Sequence, residues 1–241
     1  MRENRTKARL KAGELCIGAF LPIPSPDLVE LSAAVGFDFV TIDVEHELID
    51  DMSVSHMIRA AEAFGITPIV RTSRDRDRIL RYLSAGAQGI HVPRCNSGEE
   101  AREIVDACRF YPEGDRTFWA MGRVANYAMG VDDQEWSQRV NRELLVIAMV
   151  EEVTGYHNLN DILAVPGIDV IHIGPKDLWQ SMGMPEQSVV DETVAEIADR
   201  TVAAGKTVSL QFRVNLHQLD LLAEHIARGA RMITVSPLDF I

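Results

Sequence analysis

The chain has 241 residues, of which 46% are hydrophobic and 25% charged, and it carries a formal net charge of −12. That length suits one large α/β domain with a full core, and the acidic surplus disfavours nucleic acid and anionic membranes as partners. The three cysteines fit no zinc or disulfide spacing, the basic start MRENRTKARLKAGE has no apolar run behind it, and the longest apolar run, Leu144–Val150, falls far short of the ~20 residues that span a bilayer; a soluble, cytoplasmic protein with reduced thiols is expected.

Taken in chain order, eight short runs rich in Val and Ile read as strands: Cys16–Leu21, Asp38–Asp43, Thr67–Thr72, Gln88–Val92, Leu145–Glu151, Asp169–Ile173, Lys206–Gln211 and Met232–Val235. Helical patterns fall between them. Pro26–Val35 follows Ser25, with the proline in a first turn, and Asp191–Ala204 and Leu216–Ala227 each carry an apolar face. Gly36, Gly65, Gly86, Gly205 and Gly229 sit where helices should end before the next strand. Repeated strand–helix alternation implies parallel strands with right-handed crossovers. A single (β/α)8 TIM barrel over residues 1–241 is the simplest closure; the rival open sheet lacks a GxGxxG fingerprint. The long interval Tyr111–Arg142, with a helix near Asp132–Asn141, is expected at the active-site rim or an oligomer contact.

In such a barrel the loops after the strands build the active face. Polar residues collect there: Asp43-Val44-Glu45-His46 after strand two, Arg71 at the end of strand three, His91 and Arg94 at strand four, Glu151-Glu152 at strand five, and Gly174-Pro175-Lys176-Asp177 after strand six. Glu151 follows seven apolar residues, so it must be ion-paired, with Arg71 or Lys176, or bound to a cation. Glu152 should point the other way. Asp177 reads equally as a helix N-cap or a metal ligand. Two carboxylates suit a hard ion such as Mg²⁺ or Mn²⁺. His46 gains interest from the carboxylates beside it, with Asp43 placed to orient the ring. Arg71 reads as a structural ion pair or as a fixed charge for a developing oxyanion. His91 and Arg94 read as rim residues, or as contacts to a more anionic or bulkier aldehyde portion.

SPDLVELSAAVGFDFVTIDVEH, PIVRTS, LSAGAQGIHVPRCNSGEEAR, RFYPEGDR, MVEE and GIDVIHIGPKDLWQSMG together resemble the HpcH/HpaI family of metal-dependent, class II pyruvate aldolases. The resemblance implies a (β/α)8 barrel, a divalent metal (Mg²⁺ or Mn²⁺, with Co²⁺ also usable), small 2-oxo acid and aldehyde substrates, and a homo-oligomer, hexamer or trimer. By position, Glu151 and Asp177 match the metal ligands, His46 the proton acceptor and Arg71 the transition-state stabiliser. The backbone around Gly174 and Lys176 matches the cradle for the pyruvate carboxylate. Ser84 stands where the family has an aspartate that raises the histidine's basicity, and Met149 where it has a substrate-binding glutamine. A citrate-lyase-like acyl-CoA lyase and a catalytically weak barrel that binds metal and 2-oxo acid are the alternatives.

Overall fold

The computed structural model describes residues 2–213 and 216–236, without the side chains of 216–218. Its strands are β1 Cys16–Leu21, β2 Phe39–Asp43, β3 Thr67–Arg71, β4 Gly89–Val92, β5 Leu145–Val150, β6 Val170–Ile173, β7 Thr207–Phe212 and β8 Ala230–Val235. All pair in parallel in sequence order, and β8 returns to β1 through Cys16↔Met232, closing the barrel. The eight expected strands are all present, with ends shifted by two residues at most. The expected helices appear as Pro26–Ala34, Asp133–Glu143, Gln187–Ala203 and Leu216–Ala227. All five helix-end glycines take positive φ. No helix among the described residues is long and apolar enough to cross a membrane.

Alternation along the strands sorts the side chains. Val40, Ile42, Val70, Ile90, Val146, Ala148, Ile171 and Ile173 join the helices in the large outer core. Phe39, Ile69, Leu145, Ile147, Val170 and Met232 fill the lower barrel interior. Phe39 fits there because Gly18 has no side chain: a Cβ on Gly18 would lie 2.3 Å from the phenyl ring.

The amino end of the barrel is closed by the helix Arg5–Lys11, which the sequence reading did not include. Leu10 joins the inner apolar cluster. Asn4 caps the helix and donates from Nδ2 to the carbonyls of Gln88 and Glu143, both at 2.9 Å. Lys7 Nζ reaches Asp169 at 2.9 Å and the Leu144 carbonyl. Asp169 also receives Arg109 at 3.3 Å and the Val146 N–H at 2.9 Å.

The interval after Tyr111 packs Phe110, Ala120, Ala125, Trp136 and Val140 into a small cluster of its own. Arg123 ties it to Glu62 and to the Ala85 carbonyl. Glu62 and Ala85 lie in the last turns of helices Asp51–Phe64 and Arg76–Ala85, which run back toward the amino ends of the strands. Arg123 therefore anchors this interval away from the active-site rim of its own barrel. Ser84 lies in the same last turn and is equally remote from the carboxyl ends.

Candidate active site

At the carboxyl ends of the strands lies a cavity of about 260 Å³ lined by Glu45, His46, Arg94, Glu151, Glu152 and Asp177. Four of these six residues are carboxylates. The mouth therefore concentrates negative charge.

Glu151 follows directly on β5, pointing inward in step with Leu145, Ile147 and Met149, and it is buried. No ion pair joins it to Arg71 or Lys176. Its Oε1 instead accepts the backbone N–H of Arg94 at 2.9 Å. Burial pushes its carboxyl up to about 7, with the charges of Asp177 and Glu45 adding to the rise and the Arg94 N–H and Arg71 opposing it. Gly174 is what lets the chain pass so close: a Cβ there would sit 2.5 Å from Met149 Cε and 2.7 Å from Glu151 Cβ. Asp177 is the third residue of the short helix Pro175–Ser181, whose N-cap position is held by Gly174 and not by Asp177. The cap reading is thus not met, and the carboxylate faces the cavity.

Beneath this mouth, Asp43 ends β2 and is held in two places. Arg71 Nε and Nη2 donate to its two oxygens at 2.8 and 2.7 Å. The Glu45 N–H donates at 3.1 Å, turning the chain at the strand end. Arg71 lies 4.9 Å from the centre of the Phe20 ring, and its Nε is also 3.4 Å from Glu45. Burial opposes its charge, but Asp43 and Glu45 outweigh that and hold the guanidinium above its ordinary pKa. The carboxylate facing His46 is Glu45, at 3.7 Å, and not Asp43. Strand parity carried that signal, since Glu45 stands two residues beyond inward-facing Asp43.

Of the other sequence candidates, Met149, Lys176 and His91 fall outside the cavity lining. Met149 is buried beneath Gly174. Lys176 is exposed, its Nζ 5.7 Å from the Trp179 ring centre. Glu152, expected to face away, lines the mouth and accepts Asn96 Nδ2. His91 is not at the rim: it lies inside the barrel, its ring 4.6 Å from that of His172, whose Nδ1 meets Ser209 Oγ at 2.9 Å. Burial lowers the pKa of both imidazoles, so neither is charged near neutral pH.

No group of three His, Cys, Asp or Glu side chains is poised to hold a metal among the described residues. Glu151 and Asp177 fit the sparser arrangement typical of hard ions, in which one or two carboxylates leave positions for water and substrate oxygens. Among the described residues Glu151 Oε2 and Asp177 have no hydrogen-bond partner, and the charge of Asp177, which adds to the burial that raises the Glu151 pKa, is what a shared cation would relieve.

The HpcH/HpaI aldolase/citrate lyase family model matches residues 16–236. A hydroxypyruvate/pyruvate aldolase of Deinococcus radiodurans is 34% identical over 94% of this chain and 83% of its own length. A 2-keto-3-deoxy-L-rhamnonate aldolase of Escherichia coli K12 is 32% identical over 84% of this chain and 78% of its own. The crystal structure of citrate synthase SbnG superposes with a TM-score of 0.84 at 36% identity, covering 95% of this chain and 89% of that one. The chain belongs to the HpcH/HpaI aldolase/citrate lyase family, as an enzyme of its metal-dependent, class II aldolase type.

Proposed function

We propose that this enzyme joins pyruvate to an aldehyde, and cleaves the resulting 4-hydroxy-2-oxo acid, with Mg²⁺ or Mn²⁺ held by Glu151 and Asp177 and Co²⁺ able to substitute. The observation that carries this reading is the meeting of those two carboxylates, from separate strand ends, on one cavity with His46. When bound, the cation supplies Lewis acidity to the keto and carboxylate oxygens of the 2-oxo acid.

The remaining work falls to the chain. His46, exposed at the mouth and backed by Glu45, takes the proton of the C4 hydroxyl. As the C3–C4 bond breaks, its electron pair moves into C2–C3 and charge develops on the C2 oxygen. Arg71, fixed by Asp43, sits beneath that charge and stays protonated. The aldehyde departs, and a proton from water at C3 completes pyruvate. The backbone from Gly174 to Lys176 supports the pyruvate carboxylate. The Gly174 N–H is committed to the Val150 carbonyl at 3.1 Å and Pro175 has none, which leaves the amide of Lys176. Met149 provides an apolar floor under Gly174.

Free, buried cysteines suit a cytoplasmic setting. Exposed Phe118, Trp119, Met121, Tyr127 and Met129 suit a subunit contact in a hexamer or trimer of one-domain chains. A second reading, condensation to a citrate-like product, is favoured by the 36% identity to a citrate synthase.

The test supplies pyruvate in D2O with Mg²⁺ or Mn²⁺ and follows exchange of the methyl protons by NMR. Aldehydes and oxaloacetate are then added to separate the two readings. Exchange that stops with EDTA and in Glu151→Gln supports the proposal. EDTA-resistant activity trapped by borohydride would overturn it.

A further inference from the structure

The cavity holds one permanent cation on its wall among the described residues, and the mechanism above does not use it. Arg94 follows Pro93 at the carboxyl end of β4. Its φ is +52°, a region that glycine or asparagine fills at least cost. Its N–H is tied to Glu151 Oε1 at 2.9 Å, which fixes where the residue stands. Any residue except proline would supply that N–H, so the backbone bond does not explain an arginine here. The guanidinium is 63% exposed, and the nearest carboxylate, on Glu45, is 3.9 Å away, beyond hydrogen-bond length. Arg71, by contrast, is buried and has two nitrogens committed to Asp43.

Charge decides what such a group is for. The mouth carries Glu45, Glu151, Glu152 and Asp177, in a chain of net charge −12. An acceptor bearing its own carboxylate would meet repulsion there unless a cation received it, whereas a neutral aldehyde needs no such group. A guanidinium offers two parallel donors matched to a carboxylate. We propose that Arg94 binds the carboxylate of the acceptor, so that this enzyme prefers aldehydes carrying a carboxylate over neutral ones. This inference rests on the aldolase reading and adds the class of acceptor to it.

The test pairs two acceptors of equal carbon count, glyoxylate and glycolaldehyde, each added to pyruvate with saturating Mn²⁺. In the wild type, kcat/KM for glyoxylate exceeds that for glycolaldehyde. In Arg94→Met that ratio falls by roughly 20-fold or more, the scale of one charge-assisted hydrogen bond, mainly through the KM of glyoxylate. Arg94→Lys, which keeps the charge without the fork, recovers part of the ratio. A fall of both acceptors together, with the ratio unchanged, would show that residue 94 acts only through the loop holding Glu151, and would overturn the proposal. So would a wild-type preference for glycolaldehyde. Exchange of pyruvate methyl protons, followed in the same samples, involves no acceptor: its absence in the wild type sinks the aldolase reading, while a flat ratio with exchange intact sinks this one alone.

Discussion

Asp169 and Glu151, one at each end of this barrel, are held in opposite ways. At the amino end, Lys7 and Arg109 converge on Asp169, and the lysine and the arginine each also donate to backbone carbonyls. Charges of opposite sign are matched there. At the carboxyl end, Glu151 is buried beside two further carboxylates, and its only hydrogen bond among the described residues is from one backbone N–H. Opposite charges in contact stabilise a closed end; like charges held together are tolerated only where a ligand completes them. The working end holds the matched pair Asp43–Arg71 as well, and is marked out by Glu151, a buried carboxylate with no ion pair beside it.

The sharpest break of this comparison is Glu151→Gln. Activity should fall about 10³-fold or more, as for loss of a central electrostatic group, while the melting temperature of the metal-free protein holds or rises, because the repulsion at the mouth is relieved. A clear drop in thermal stability would contradict the contrast. Next comes Gly174→Ala. Its methyl group must displace Met149 or Glu151, so kcat should drop about 100-fold, the scale of a 1 Å misplacement, with circular dichroism reporting an intact fold. At the other end, Lys7→Met removes a partner of Asp169. Urea unfolding should show a loss of about 1.5–3 kcal/mol, the scale of a charged hydrogen bond, because Arg109 still pairs with Asp169, with KM for pyruvate unmoved.

The smallest effect is the dependence on pH. The folded-state pKa of Glu151 stands near 7, above its ordinary 4.5, so the metal-free folded chain holds that proton more tightly than the unfolded chain. Its contribution to stability is fully present below pH ~4.5 and is lost as pH rises toward ~7. Mn²⁺ should therefore raise the melting temperature more at pH 8 than at pH 5.5, where the proton competes for the same oxygens. In Glu151→Gln the difference between the two pH values should shrink.

The sequence made the barrel legible because most of the strands are buried on both faces and so read as short apolar runs closed by a turn signal. Glu151 and Asp177 stood out as charges at the ends of such runs. What stayed hidden depends on contacts between distant segments. The Asp43–Arg71 pair spans 28 residues and the Arg94 N–H bond to Glu151 spans 57, and neither has a local pattern. Asp43 seemed placed for His46 because they are neighbours in sequence, whereas the strand turns Glu45 toward the ring instead. The helix Arg5–Lys11 was missed for a related reason. It buries Asn4, Thr6 and Lys7, residues that look like surface until their partners are known.

That helix has a consequence for biosynthesis. Its lysine is made early, yet the Leu144 carbonyl and Asp169 lie 137 and 162 residues further on. During translation, at about 5–20 residues per second, the segment must wait on the order of ten seconds or more before those partners emerge. Until then Lys7 remains in water, and the floor of the barrel is not sealed before the chain has grown past Asp169.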